Sequence, residues 1–188
     1  MVMDARAVFL DRDGVLVVPE FRDGRSFAPT TIEKFQIDDA APECLASLKQ
    51  AGFLLVVVTN QPDLGKGLIA PAVMDEMNRR LRAALPVDDV RICPHRQDQH
   101  CDCRKPLPGM LVAAAEQLGI ALVRSFMVGD RASDIAAGRA AGCRTVFLDL
   151  DYTAEPKPRD ADSSVRSLRE ATAWILAANR NEVHHAAT

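Results

Sequence analysis

Five short apolar runs punctuate the chain, and each stops at a polar or turn-forming residue. They are AVFL (7–10), FLLVVV (53–58), VRIC (90–93), SFMV (125–128) and TVFL (145–148). Runs this short, apolar at consecutive rather than alternate positions, predict strands of a parallel sheet buried on both faces. Between them the apolar spacing lengthens to that of a helix. Ala41, Cys44, Leu45 and Leu48 fall at i, i+3, i+4 and i+7, and Met74, Met77 and Leu81 nearly do. Leu111, Ala114, Ala115 and Leu118 repeat the pattern, with Pro108 at a first-turn position and Gly119 as a stop. Ile135 to Ala141 predicts a short helix closed by Gly142, and Val165, Leu168, Thr172 and Ile175 predict a last one. Strand and helix alternate throughout, so the expected fold class is α/β, a doubly wound parallel sheet. Residues 153–164 read as a surface loop and residues 179–188 as a frayed tail.

Length and composition narrow the setting. A chain of 188 residues predicts one domain over 1–188. There are 23 basic and 26 acidic residues, a net charge of −3, so neither nucleic acid nor an anionic membrane is an expected partner. An anionic substrate would have to be held by local cations. MVMDARAVFLDRDG meets charges before an apolar h-region forms, so no signal peptide is expected. No run approaches the roughly 20 apolar residues of a spanning helix. The expected location is the cytoplasm, where disulfides are rare. Without an apolar surface stripe, the expected state is a monomer. Cys44 and Cys143 read as core cysteines, and His184 and His185 sit in the tail with no partner spacing.

In doubly wound folds ligands gather at the carboxyl ends of the strands. There the sequence reads DRDG, TNQ, CDCRKP, GDRASD and DLD. Asp11 and Asp13, two apart at a strand terminus, can face the same side. Gly14 frees the chain to turn. Such a pair can share a magnesium ion, or divide nucleophilic and proton-transfer duties. Thr59 offers a hydroxyl to a phosphate oxygen, and Asn60 and Gln61 add amide donors. Lys105 would balance the carboxylates and a phosphoryl group, while Arg104 could grip a second anion. Asp130 stands where a third magnesium ligand is needed. Asp134, one turn on, could bond back across the site. Singly these are an acidic turn, a strand-end cap, a solvated lysine and an N-capped helix.

The stretch ICPHRQDQHCDC (92–103) holds three of the five cysteines and two of the four histidines. Cys93, His95, Cys101 and Cys103 offer three thiolates and an imidazole, a structural zinc set. His100 competes with His95 and ranks below it. A disulfide is the alternative, disfavoured in a reducing compartment. A closed four-ligand site would be structural. It would pin the loop that presents Arg104 and Lys105.

The strand-end residues have a telling order: Asp-x-Asp, Thr, Lys, then Gly-Asp-x-x-x-Asp. In this, over about residues 7 to 150, the chain resembles the haloacid dehalogenase (HAD) superfamily of phosphohydrolases. DRDGV, VVVTNQ, RKP and GDRASD stand where that family has its four motifs. The resemblance implies a HAD-like Rossmannoid sheet and an aspartyl-phosphate mechanism. Asp11 would be the nucleophile, and Asp13 the acid and then the base. Thr59 and Lys105 would hold the phosphoryl group. Magnesium would be bound by Asp11, the Asp13 backbone carbonyl and Asp130.

CPH and CDCRKPLPGM further resemble the D-glycero-D-manno-heptose 1,7-bisphosphate phosphatases. These are small HAD enzymes with loops in place of a large cap. There is no room for a cap between Val58 and Val90 or after Gly14, so an essentially capless protein is implied. In that family the 7-phosphate is removed. The second phosphate of the sugar bisphosphate would be gripped by Arg104 and helped by Arg131. Loop 19–29, PEFRDGRSFAP, would form part of a substrate lid. The chain departs from the family at NQPDLGKG, where NQSGIARG is usual, so Pro62, Asp63 and Lys66 alter a loop near the substrate. The short zinc loop and GDRASD also resemble the histidinol-phosphate phosphatases. A receiver domain would carry an adjacent acidic pair instead of Asp11-Arg12-Asp13. A zinc module for nucleic acid would carry a basic aromatic stripe.

Overall fold

The computed structural model describes residues 4–186. In chain order the strands are β1 (Ala7–Leu10), β2 (Glu20–Arg22), β3 (Arg25–Phe27), β4 (Leu54–Asn60), β5 (Asp89–Cys93), β6 (Phe126–Gly129), β7 (Arg144–Leu148) and β8 (Ser163–Val165). The helices are α1 (Ala41–Gln50), α2 (Pro62–Gly65), α3 (Pro71–Ala84), α4 (Gly109–Leu118), α5 (Ala132–Ala140) and α6 (Leu168–Ala186). Six strands form one parallel sheet in the order β5-β4-β1-β6-β7-β8, while β2 and β3 make a separate antiparallel hairpin.

The strand runs are apolar at consecutive positions for a topological reason. Successive side chains of a strand point to opposite faces, and both faces are covered. Val8, Leu10, Leu55, Val57, Phe126 and Val128 pack with α1, α3 and α6. Ala7, Phe9, Val56, Val58 and Met127 pack with α4 and α5 on the other side. The helical spacing holds as well: Cys44, Leu45 and Leu48 of α1, Met74, Met77 and Leu81 of α3, and Leu111, Ala114 and Ala115 of α4 are all buried. Cys44 and Cys143 lie in the two core layers.

Two segments differ from expectation. Val165 belongs to the edge strand β8, paired with Leu148, and the last helix begins at Leu168. A three-residue strand is too short to show a period. It is tied down by Asp162, which accepts hydrogen bonds from the Thr145 backbone N–H (2.7 Å) and hydroxyl (2.9 Å). The expected frayed tail is helical as far as Ala186, and residues 187–188 lie outside the described residues. Helix α6 is held by Ala171, Ile175 and Ala178 in the core, by Trp174 set edge-on to Phe126 at 6.0 Å, and by Arg6 donating to Asn179. Tertiary packing of this kind, rather than propensity, stabilises most protein helices. Among the described residues no helix is long and apolar enough to cross a membrane.

Candidate active site

Strand β1 lies at the centre of the sheet, between β4 and β6. Their carboxyl ends therefore place Asp11, Thr59 and Asp130 side by side at the topological switch point. Lys105 arrives from the loop between β5 and α4, and Asp134 from the first turn of α5. Two glycines allow the carboxylates to pack this closely. A Cβ on Gly14, whose φ is +98°, would sit 2.1 Å from Asp130 Oδ2. A Cβ on Gly129 would sit 2.1 Å from the Cβ of Asp134.

Lys105 is 4% exposed. Its ammonium donates to Asp11 Oδ1 (2.8 Å) and the Val58 carbonyl (2.8 Å), and pairs with Asp134 Oδ1 (2.6 Å). Three acceptors meet its three protons. Burial works against the charge, but Asp11 and Asp134 outweigh it and hold Lys105 above its ordinary pKa.

Asp130 is 2% exposed, and burial first, then Asp11 and Asp134, pushes its pKa well above the ordinary value. Its Oδ2 accepts from the Tyr152 hydroxyl at 2.8 Å. Its Oδ1 is buried with no hydrogen-bond partner among the described residues. Burial also pushes Asp134 up to about 6, against the pull of Lys105. One oxygen from each of Asp11, Asp130 and Asp134 lies within 4.8 Å of the others. Such a set of hard oxygens, over-supplied with negative charge and leaving one lone-pair site unmet, fits a divalent cation of the magnesium type. Asp134 is thus drawn into the carboxylate trio, but its Oδ1 is paired with Lys105 and its Oδ2 accepts from the Arg131 N–H, so it supports the cation site from behind Asp11 and Asp130. The Asp13 side chain lies outside it.

Asp13 is held by two neighbours. Gln61 Nε2 donates to its Oδ2 at 2.6 Å, and Arg12 Nε to its Oδ1 at 3.0 Å. Gln61 Nε2 also donates to the Thr59 hydroxyl at 2.8 Å. Asn60 clamps the Lys105 backbone, donating to its carbonyl (3.0 Å) and accepting from its N–H (3.1 Å). The amides expected to face substrate are therefore engaged in positioning Asp13, Thr59 and Lys105. Arg12 was missed, and no sequence signal marks it: a charged residue between two aspartates reads as solvated. Here it is 0% exposed, packed over Phe35 with its Nη1 donating to Met74 Sδ at 3.1 Å. Tyr152 was missed for a similar reason, since it lies 22 residues from its partner Asp130.

A cleft of about 820 Å³ opens over these groups. Arg104 and Arg131 line it beside Asp11, Asp13, Thr59 and Lys105. The expected lid loop is the β2–β3 hairpin, and Arg131 Nη2 donates to its Ser26 carbonyl (2.6 Å) and hydroxyl (2.7 Å).

Cys93, His95, Cys101 and Cys103 form one cluster, and no cysteine of the chain is in a disulfide. The Cys93–Cys101 and Cys103–Cys101 Sγ separations are 3.8 and 3.6 Å, and His95 Nδ1 lies 3.6 and 3.2 Å from Cys93 and Cys103. A tetrahedron with arms of about 2.3 Å has edges of about 3.8 Å, so the donor set and its spacing fit zinc. Burial, then the neighbouring thiols, pushes Cys103 up to about 12. A bound cation would take up the charge that crowding otherwise suppresses. His100 is exposed at the cleft wall. Arg104 Nη1 donates to the His95 carbonyl at 3.1 Å, so the cluster is linked directly to an expected substrate-binding arginine.

Asp-x-Asp, a threonine, a buried lysine and a Gly-Asp gathered at the switch point of a parallel sheet form the arrangement expected of the HAD class of hydrolases. The HAD-hydrolase-like family model matches residues 102–171. The D-glycero-β-D-manno-heptose-1,7-bisphosphate 7-phosphatase of Pasteurella multocida is 34% identical over 179 residues, covering 89% of this chain and 93% of its own. That of Escherichia coli K12 is 34% identical, covering 94% and 91%. Among solved structures, the D,D-heptose 1,7-bisphosphate phosphatase of B. bronchiseptica, complexed with magnesium and phosphate, superposes with a TM-score of 0.78 at 27% identity, covering 92% of this chain and 98% of its own. A putative HAD-like phosphatase of Mesorhizobium loti gives 0.75 at 28% identity, covering 96% and 90%. The chain belongs to the D-glycero-β-D-manno-heptose-1,7-bisphosphate 7-phosphatase family of HAD phosphatases.

Proposed function

We propose that this protein removes the 7-phosphate of D-glycero-β-D-manno-heptose 1,7-bisphosphate, in the cytoplasm and as a monomer, through an aspartyl-phosphate on Asp11. The observation that carries this reading is the buried ammonium of Lys105, braced between Asp11 and Asp134 beside the unmet Asp130 Oδ1. An Asp11 carboxylate oxygen attacks phosphorus, and the departing alkoxide takes a proton from Asp13. Asp13 then removes a proton from water, which attacks the acyl phosphate and releases Asp11 and inorganic phosphate. Gln61 and Arg12 aim the Asp13 carboxyl at the leaving oxygen. Thr59 and Lys105 hold the non-bridging phosphoryl oxygens. Magnesium, held by Asp11, Asp130 and the Asp13 backbone carbonyl, would supply further neutralisation of the phosphoryl charge. Arg104 and Arg131 bind the distal phosphate, and Asn60 keeps Lys105 in register.

The test is magnesium-dependent phosphate release from both anomers of the heptose bisphosphate, histidinol phosphate, fructose 1,6-bisphosphate and an aryl phosphate. We expect kcat/KM for the β-heptose bisphosphate to exceed the rest by about 100-fold, about 2.7 kcal/mol of transition-state discrimination. A preference for histidinol phosphate, or equal turnover of all, would overturn the substrate.

We assign zinc a structural role at Cys93, His95, Cys101 and Cys103. Purified protein should hold about one equivalent of zinc, and Cys101→Ser should lose it and raise KM through a loosened Arg104. Metal-free protein of unchanged thermal stability would contradict this assignment.

A further inference from the structure

We infer that Glu155 is a specificity-determining residue: its carboxylate is the resting counter-ion of Arg131, and the distal phosphate of a bisphosphate must displace it. The inference rests on the proposed function, because it takes Arg131 as a ligand of that phosphate. Three acceptors converge on one nitrogen of Arg131. The Ser26 carbonyl and hydroxyl lie at 2.6 and 2.7 Å, and Glu155 Oε1 at 3.4 Å. The first two are neutral acceptors at ordinary hydrogen-bond length. The third is a longer ion pair, and its carboxylate lines the same cleft as Asp11, Lys105 and Arg104. An entering dianion can therefore replace Glu155 and leave the Ser26 bonds in place, so that the guanidinium stays aimed.

The arrangement is built by the fold. Ala154 N–H donates to the Gly24 carbonyl at 3.0 Å, and Phe21 stacks on Tyr152 at 5.9 Å. A Cβ on Gly24 would come within 2.4 Å of Thr153 Oγ1, so the two segments are in close contact. The hairpin that supplies Ser26 is thus fastened to the segment that supplies Glu155. Both partners of Arg131 come from one assembly at the cleft wall. A neutral distal group gains nothing by displacing Glu155. A second phosphate gains Arg131 but meets the like charge of Glu155 beside it. Glu155 consequently lowers affinity for the bisphosphate while leaving a monophosphate nearly unaffected.

The experiment is calorimetric binding, with magnesium and in the Asp11→Asn background so that ligand is not consumed. Heptose 1,7-bisphosphate is compared with heptose 7-phosphate. Glu155→Gln should lower the Kd of the bisphosphate about 3- to 5-fold, the size of one partly exposed charge interaction, and change that of the monophosphate by less than about twofold. The effect should disappear when Arg131→Gln is added. An unchanged ratio between the two ligands, a weaker bisphosphate complex, or an effect that survives Arg131→Gln overturns the role of Glu155 alone. Failure of the Asp11→Asn protein with Glu155 intact to bind either sugar phosphate overturns the proposed substrate and this inference together.

Discussion

Asp11→Asn is expected to lower kcat by about 10⁴-fold or more, the scale of losing a catalytic nucleophile, while the protein still folds and retains the zinc proposed at its Cys/His cluster. An amide keeps the shape of the side chain and an oxygen for Lys105 to donate to at 2.8 Å. It cannot form the acyl phosphate. The Cys93, His95, Cys101 and Cys103 cluster takes no ligand atom from Asp11, so its metal content should not change. The readouts are phosphate release, metal content and a melting curve on the same preparation. Turnover within about tenfold of the unsubstituted enzyme would show that Asp11 is not the nucleophile.

Lys105→Met is expected to damage both activity and stability. Loss of one positioned charge, here the one proposed to face the phosphoryl group, costs about 10²- to 10³-fold in kcat. Loss of one partner of a buried ion pair costs about 3–5 kcal/mol, because the remaining charge is left uncompensated. The pH dependence has a definite sign. Asp134 is raised from 3.8 to about 6 even with Lys105 present. A carboxyl raised on folding holds its proton more tightly in the folded state, so stability falls as pH rises from about 4 toward about 6. Without the lysine this loss deepens and extends to higher pH. The melting deficit of Lys105→Met should therefore be larger at pH 8 than at pH 5. Magnesium should recover part of it at pH 8. Equal deficits at both pH values would mean that Lys105 acts by packing.

The strand-end chemistry was legible because the parallel sheet makes it so. Each apolar run ends within two residues of its strand's end, and all such ends lie on one side. Asp11, Thr59, Lys105 and Asp130 could thus be picked out as neighbours although 119 residues separate the first from the last. The zinc-type cluster was legible for a simpler reason, since all four ligands lie within eleven residues. Strand β8 was not, because three residues on a sheet edge carry no period. The tail was misjudged because α6 is anchored upstream of it, by Ala171, Trp174, Ile175 and Ala178, and the helix continues past those anchors.

The directions of the polar side chains belong to another level. Asn60 and Gln61 were visible as donors, but whether their amides face a substrate or the protein depends on Lys105, 45 residues from Asn60, and on Asp13, 48 residues from Gln61. Arg12 was not singled out at all and is wholly buried against Asp13, Met74 and Phe35. Tyr152 and Glu155 gained their roles from contacts with Asp130 and Arg131 in a different loop. By itself the sequence determined the fold class, the gathering of Asp11, Thr59, Lys105 and Asp130 at one sheet end and the Cys/His cluster, since periodicity and local spacing are properties of neighbouring residues. Only the tertiary structure decided which polar group each side chain meets, because buried hydrogen bonds and ion pairs are satisfied across the fold, by partners that sequence distance does not reveal.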